Sequence, residues 1–191
     1  MSNPMTGNVK TVANSRCIMT EIVLPNDTNG LGRMMGGRLM YLMDKCAAIS
    51  AQRHANCVCV TASVNMMEFQ TPIHQGEIVI IEGWVNRAFR TSMEIELVVF
   101  AENPRTHTRR KCNQAIFTFV ALDESMRPTP IPPLQPETQT ERARYEQAAK
   151  RREVRLYFSE RLALNDATTA KEDLLSVLTA PEQDSPAHKD S

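Results

Sequence analysis

The sequence predicts an α+β fold in which a curved antiparallel sheet wraps around one long, buried helix. A helix is expected from about Gly37 to His54, because apolar side chains recur there at helical spacing around most of the circumference. One strand segment precedes the helix, and four more follow it in hairpin succession. The pattern has no second copy in the sequence, which therefore predicts a single domain of this kind.

The strand segments are recognised by their β-branched and apolar composition. The first ends at Pro25 and a polar run, which favour a turn. The last is nearly all apolar, as expected for a central strand that is covered on both faces. The predicted strands are 16–24, 57–69, 77–88, 91–101 and 112–122.

Composition divides the chain into three parts. The N-terminal segment has few large apolar residues and is expected to be a flexible arm. A proline-rich run after Met126 ends the globular domain, and the charged stretch 137–158 predicts an outer helix before a disordered tail. The predicted parts are an arm at 1–15, a domain at 16–128, and a proline-rich exit, helix and tail at 129–191.

The overall charge limits the partners that the protein can bind. The 191 residues include 22 Lys and Arg and 22 Asp and Glu, so the formal net charge is zero. We therefore expect no binding to nucleic acid or to an anionic membrane, and an anionic ligand would need a local group of cations. The polar N-terminus does not resemble a signal peptide, and the odd number of cysteines, five, favours a reducing, cytoplasmic location.

Asp44 is the first candidate for a chemical role. It lies in the middle of the apolar helix, with Met40 and several alanines on the same face. Burial of a carboxylate is costly unless the group is paired or has a function. A structural ion pair remains open, although the adjacent Lys45 is a poor partner because consecutive side chains do not face each other on a helix.

The loop before the helix supplies further candidates. Gly36 and Gly37 lie at the expected helix start, where unpaired backbone N–H groups suit a developing negative oxygen. Asn29 could direct an amide toward the same site. Tight turns would also explain these residues, and the pattern of a phosphate-binding loop is not present in the sequence.

Other types of site find little support. The four histidines and five cysteines show no metal-ligand spacing, so no metal is expected. The GxSxG motif of serine hydrolases does not occur. Basic residues at 87–90, 109–111 and 150–152 have the composition of solvated surface unless the ligand carries phosphates.

The segment Leu24–Ala48 resembles the loop and helix of hotdog-fold acyl-CoA thioesterases, in particular brain-type acyl-CoA hydrolase and the YciA-like bacterial enzymes. The shared pattern is P-x-x-T-N-x-x-G-x-x-x-G-G-x-x-M-x-x-x-D-x-x-A-A. The resemblance covers about residues 16–155. Further matches in register are 53–54, 60–64, Phe69, 91–96, 115–122 and 136–138.

The resemblance implies a hotdog fold and a site shared between subunits. Asp44 occupies the position of the family's catalytic carboxylate, and Asn29 matches its second catalytic position. Thr91 and Ser92 match the segment that borders coenzyme A. The resemblance further implies a homodimer, assembled into a hexamer of three dimers, in which Asp44 of one subunit meets Asn29 of its neighbour.

The expected reaction is hydrolysis of a fatty acyl-CoA to a free fatty acid and coenzyme A. Asp44 would act as general base or as nucleophile, and the backbone N–H near Gly37 would hold the carbonyl oxygen. Arg90 and Lys111 would bind phosphates of coenzyme A, with no metal or redox cofactor.

Two alternatives stay open at this point. One is a hotdog enoyl-CoA hydratase or dehydratase, which would need a catalytic histidine, and the other is an acyl-CoA-binding protein without catalytic activity. In either case methionines such as Met40, Met43 and Met67 are expected to shape the acyl tunnel.

Overall fold

The structure, a computed structural model, describes residues 9–164. It consists of one long central helix, a five-stranded sheet, a small two-stranded sheet and a long C-terminal helix. The elements in chain order are β1 (Lys10–Thr11), α1 (Val12–Ser15), β2 (Cys17–Ile22), a 3₁₀ turn (Pro25–Asp27), α2 (Gly36–Ala55), β3 (Val58–Phe69), β4 (Ile78–Ala88), β5 (Ser92–Glu102), β6 (Arg109–Leu122), β7 (Leu134–Gln135) and α3 (Gln139–Leu164).

The five-stranded sheet has the strand order β2-β4-β5-β6-β3, and each pair of neighbours is antiparallel. The central helix α2 packs against it through fully buried side chains that include Met43, Cys46 and Ala47. The long helix α2 and this antiparallel sheet confirm the predicted α+β hotdog arrangement. Strand β3 forms one edge of the sheet.

Helix α2 begins one residue before its predicted start and ends one residue after its predicted end. Its end is defined by Asn56, which takes the left-handed conformation with φ of 57°. The helix lies close to the sheet at Gly83, because a Cβ there would lie 2.9 Å from Leu97 Cδ2 and 3.1 Å from Cys46 Sγ. A side chain at this position would therefore push the helix away from β4.

The N-terminal arm predicted for 1–15 differs from the structure in its described part. Residues Lys10–Thr11 form β1, which pairs in parallel with β7, and 12–15 form α1. Ser15 is fully buried, and its hydroxyl accepts a hydrogen bond from the Val85 N–H at 3.0 Å. A short segment packs here because a backbone ladder, one buried hydroxyl and a single buried apolar side chain, Val12, hold it, and one apolar residue gives no hydrophobic pattern in the sequence.

Packing also continues beyond the domain end predicted at residue 128. Leu134 in β7 is buried, and Ala148 in α3 is fully buried. The chain divides into two units, Met1–Ala149 and Lys150–Ser191, so the first unit includes the proline-rich exit and the first turns of α3. The predicted disordered tail after residue 181 lies outside the described residues.

Strand β6 begins at Arg109, three residues before the predicted start. The basic run 109–111 is part of the strand because it pairs with Phe100–Glu102 of β5. None of the helices in the described part of the chain has the length and apolar character that a bilayer crossing requires.

Candidate active site

Asp44 lies on α2 beside the edge strand β3 and is partly exposed in the single chain, less enclosed than its apolar neighbours in the sequence suggest. The Thr61 hydroxyl on β3 donates a hydrogen bond to Asp44 Oδ1 at 2.6 Å. Lys45 instead lies over the Tyr41 ring, 5.3 Å from its centroid. Within residues 9–158 Asp44 forms no ion pair, so its carboxylate stays available for chemistry.

Thr61 is the functional candidate that sequence reasoning missed. A threonine in a strand is an ordinary β-former, and its hydroxyl reaches Asp44 only because β3 packs beside α2. The available signal was its place in the segment 60–64 that matches the family pattern.

The surface around Asp44 is unusually apolar for an exposed region. Met40 is 40% exposed on α2, and Val60 is 39% exposed on β3. Val58 and Val64 on the same strand are exposed as well, and β3 has only one neighbour in the sheet. A long apolar edge strand of this kind is suited to contact with another protein surface.

The N-terminus of α2 carries unpaired backbone donors. The first helical hydrogen bond runs from the Leu39 N–H to the Met35 carbonyl at 3.0 Å, and Met35 provides no side-chain cap. The N–H groups of the three preceding residues therefore have no acceptor within the helix. Gly37 is exposed, with open space where a Cβ would lie. This helix start can hold a negative oxygen.

Asn29 lies in the loop before α2 and organises that loop through its own hydrogen bonds. Its Oδ1 accepts from the Leu31 N–H at 3.0 Å and from the Arg33 N–H at 3.3 Å, while its backbone N–H donates to the Arg33 carbonyl at 2.8 Å. The side-chain oxygen is thus occupied, and the side-chain NH₂ group is the donor that Asn29 can offer to a ligand.

Asp27 fixes the same loop to the helix. Its Oδ2 accepts from the Leu24 N–H at 2.9 Å, its Oδ1 accepts from Arg38 Nε at 2.8 Å, and its carbonyl accepts from the Met35 N–H at 2.9 Å. The Leu24 N–H and, to a smaller extent, the Arg38 guanidinium hold the pKa of the Asp27 carboxyl below its usual value. Asp27 is therefore a structural carboxylate.

A cavity of about 420 Å³ opens between this loop, the start of α2 and the end of β3. Asn29 and Gly36 lie on its wall, and buried Leu39 and Ile73 lie at its floor. The other lining residues are Arg33, Met34, Phe69, Thr71, Pro72 and Asn113.

The structure places Asp44 and Asn29 in different regions of one chain. Thr61, the partner of Asp44, pairs with Phe119 of β6, whereas Phe69 of the Asn29 cavity pairs with Asn113. Six positions of β6 separate these rows, about 20 Å at about 3.3 Å per residue. Gly37 lies seven residues before Asp44 on α2, about 10 Å at about 1.5 Å per residue. A single chain does not bring Asp44 and Asn29 together.

The residues expected to contact coenzyme A also lie in two separate regions of the chain. Ser92 pairs with Val120, which also pairs with Val60, so the 90–92 turn lies near the Asp44 region. Lys111 pairs with Phe100, eight positions along β5 from Ser92, or about 26 Å. The Lys111 ammonium donates to Gln114 Oε1 at 2.6 Å. Within one chain, Lys111 does not join the other three predicted residues.

The histidine nearest to Asp44 in sequence is not available to it. His54 is fully buried, and its Nε2 hydrogen-bonds the Pro132 carbonyl at 2.8 Å, which ties α2 to the proline-rich exit. Burial lowers the pKa of His54, so the neutral ring is favoured. His54 therefore does not supply the histidine that the hydratase alternative would need at Asp44. The described residues contain no group of three or more side chains that could hold a metal ion.

Comparison with known proteins shows the family of this chain. The family model of the thioesterase superfamily matches residues 31–107. An uncharacterized acyl-CoA thioester hydrolase of Bacillus subtilis is 39% identical over 127 residues, which cover 66% of this chain and 74% of that protein.

Solved structures match over a larger part of the chain. A hexameric acyl-CoA thioesterase is 38% identical with a TM-score of 0.76, covering 79% of this chain and 98% of that one. The Staphylococcus aureus acyl-CoA hydrolase, solved with butyryl coenzyme A and coenzyme A, is 32% identical with a TM-score of 0.76, covering 84% and 99%. Variants of that hydrolase with alanine in place of an aspartate, an asparagine or a threonine match as well. The chain therefore belongs to the thioesterase superfamily and, within it, to the acyl-CoA thioester hydrolases.

Proposed function

We propose that this protein hydrolyses fatty acyl-CoA to a free fatty acid and coenzyme A, with Asp44 as the catalytic carboxylate. The proposal rests mainly on the surroundings of the Asp44 carboxylate. It is partly exposed on an otherwise apolar helix face, free of ion pairs within the described chain, and oriented by the Thr61 hydroxyl at 2.6 Å. The same three residue types that were replaced in the S. aureus hydrolase occur here as Asp44, Asn29 and Thr61.

The Thr61 hydrogen bond holds Oδ1 of Asp44, which leaves Oδ2 to face the reaction. As general base, Oδ2 takes a proton from water while the water oxygen attacks the thioester carbonyl carbon. As nucleophile, Oδ2 attacks that carbon directly and forms a mixed anhydride, which water then hydrolyses to release the fatty acid and regenerate the carboxylate. In both routes the carbonyl oxygen becomes negative, the C–S bond breaks, and the coenzyme A thiolate leaves and takes up a proton. No metal or redox cofactor takes part in either route.

The start of α2 and the Asn29 side chain supply the complementary half of the site. The free N–H of Gly37 would donate to the negative oxygen, and the Asn29 NH₂ group would polarise the carbonyl or orient the water. Because the rows of β3 that hold Thr61 and Phe69 lie about 20 Å apart, and Asn29 shares the cavity of Phe69, this half would come from a second protomer.

A homodimer places the two halves together if the apolar β3 edges meet around a two-fold axis. The Asp44 protomer would then contribute Arg90, Thr91 and Ser92 to coenzyme A, and its partner would contribute Lys111. We further propose that three such dimers form a hexamer, since two of the matching structures are described as hexameric. We also propose that the protein works in the cytoplasm.

Mixing two inactive variants tests the shared site. Asp44→Ala and Asn29→Ala proteins are each expected to release little coenzyme A from palmitoyl-CoA. When they are unfolded and refolded together, hybrid dimers contain one intact site, so random pairing should restore about one quarter of wild-type activity. Thiol release is the readout, and each variant refolded alone is the control. Continued inactivity of a mixture with confirmed hybrid dimers would contradict a site shared between Asp44 and Asn29.

A further inference from the structure

The cavity beside Asn29 has an apolar floor that the reaction chemistry does not use. Leu39 and Ile73 are each only 3% exposed at its base, and Met34 is packed against the same core. The cavity measures about 420 Å³, which is within the size range of small-ligand sites. It opens toward Asn29 and Gly36, at the proposed position of the thioester carbonyl.

Several polar groups of the cavity wall are already engaged by the protein, whereas the Asn29 NH₂ group and the Arg33 side chain form its polar end. Asn113 is 1% exposed, and its Nδ2 donates to the Glu68 carbonyl at 2.7 Å. The Thr71 N–H donates to the Cys112 carbonyl at 3.3 Å, and Asn29 Oδ1 accepts two backbone N–H groups. Deep in the cavity a ligand therefore finds mainly apolar surface, which suits an alkyl chain better than the amide-rich pantetheine arm of coenzyme A.

Phe69 forms the side wall of the cavity at its opening. Its ring lies against the first turn of α2, and a Cβ on Gly36 would approach Phe69 Cζ to 3.1 Å. Phe69 is also 56% exposed in the single chain, so part of its ring surface is free for contact with a ligand. A chain that entered from the carbonyl position at Gly37 would pass along this ring before it reached Thr71.

We propose that this cavity receives the alkyl chain of the thioester, and that Thr71 and Phe69 determine which chain lengths the protein accepts. The proposal rests on the proposed acyl-CoA hydrolase function. Thr71 is partly exposed on the cavity wall, and a larger side chain there would fill the space below the opening. Phe69 supplies apolar contact to any chain long enough to lie against it.

The decisive experiment compares kcat/KM for acetyl-, octanoyl- and palmitoyl-CoA in the full-length protein and in Thr71→Phe. Each methylene that loses its burial should lower binding about fourfold, so the palmitoyl-to-acetyl ratio should fall by about tenfold or more. The acetyl-CoA value should fall much less than the palmitoyl-CoA value, since a two-carbon acyl group has little apolar surface to bury in the cavity. Thr20→Phe, on the exposed face of β2, is the matched control and should leave the ratio unchanged.

Phe69→Ala gives an independent test if Thr71→Phe folds poorly, because an exposed ring contributes little to the core. Loss of the wall should lower palmitoyl-CoA kcat/KM several-fold more than acetyl-CoA kcat/KM. A parallel change for all chain lengths in both variants would overturn the cavity proposal, as would weaker inhibition by free coenzyme A in Thr71→Phe, which would place pantetheine there. A wild-type protein that released no coenzyme A from any of the three thioesters would instead overturn the proposed function.

Discussion

Two aspartates, one in each half of the proposed site, have contrasting surroundings. Asp27, in the loop before α2, has both carboxylate oxygens bonded, one to the Leu24 N–H and the other to Arg38. Among the described residues, Asp44, in the middle of α2, has a single hydrogen bond, which the Thr61 hydroxyl donates to Oδ1, and it is partly exposed. The Asp27 side chain is 7% exposed and forms its hydrogen bonds within the chain.

The contrast separates a carboxylate that builds the site from one that can react in it. A carboxylate with all its acceptor positions engaged stabilises the fold, and its charge is already compensated. A carboxylate with a free oxygen on an apolar surface retains its basicity for a ligand. Substitution of Asp27 should therefore reduce stability first, whereas substitution of Asp44 should reduce turnover with little change in stability.

The largest effect is expected for Asp44→Asn. The amide keeps the shape and can still accept from Thr61, but it can neither take a proton from water nor attack the carbonyl. We expect kcat for palmitoyl-CoA to fall by roughly 10²–10⁴-fold while Tm and oligomer mass stay near wild type. Steady-state thiol release and thermal melting measure the two quantities. Turnover close to wild type would exclude Asp44 as base and as nucleophile.

Asp27→Ala should act in the opposite way. It leaves the Leu24 N–H and the Arg38 guanidinium without their buried partner, so the free energy of unfolding should fall by about 2 kcal/mol. Glu21→Ala is the matched control, because it removes the more exposed 3.5 Å contact of the same arginine and should cost less than about 0.5 kcal/mol. Urea titration measures both values, and equal losses would contradict a structural role specific to Asp27.

The Asp27 contribution should also depend on pH. Its pKa in the folded protein is below the usual 3.8, so the folded state binds fewer protons than the unfolded state in this range. The stabilisation is complete above pH 3.8 and is lost as pH falls through the lower folded-state value. In Asp27→Ala, this part of the decrease in the free energy of unfolding at low pH should be absent, which urea titration at several pH values measures.

Thr61→Val should give the smallest change of the three. Valine keeps the strand and the side-chain shape but removes the hydrogen bond to Asp44 Oδ1. We expect about a tenfold lower kcat, since a hydrogen bond to a charged group contributes about 1.5 kcal/mol or more. Thr61→Ser, which keeps the hydroxyl, should recover most of the activity. A serine variant as impaired as the valine variant would show that packing, not the hydrogen bond, orients Asp44.

Most of the fold was predictable because its signals are local. The helical spacing from Gly37 to His54 and the β-branched, apolar composition of each strand depend only on neighbouring residues. The elements that the sequence analysis did not predict depend on contacts between residues far apart in the chain. Strand β1 exists because β7 pairs with it, and the basic residues 109–111 join β6 because β5 continues beside them.

The candidate site was predictable in its residue types but not in its geometry. Asp44 has a clear signal, a carboxylate on an apolar helix, and Asn29 was found through the family pattern. Thr61 has no comparable signal, since its hydroxyl becomes important only where β3 passes α2. The separation of Lys111 from Ser92 follows from strand register, which a sequence without its pairings does not contain.

The hydrogen bonds around Asn29 have one more consequence. Its side-chain oxygen and its backbone N–H are both satisfied before any ligand arrives, and Asp27 ties the same loop to α2. The conformational entropy of this loop is thus lost once, during folding, and not again in every catalytic cycle. In the proposed shared site, the rigidity of this surface turn would contribute to the rate at which the carboxylate of a second protomer acts.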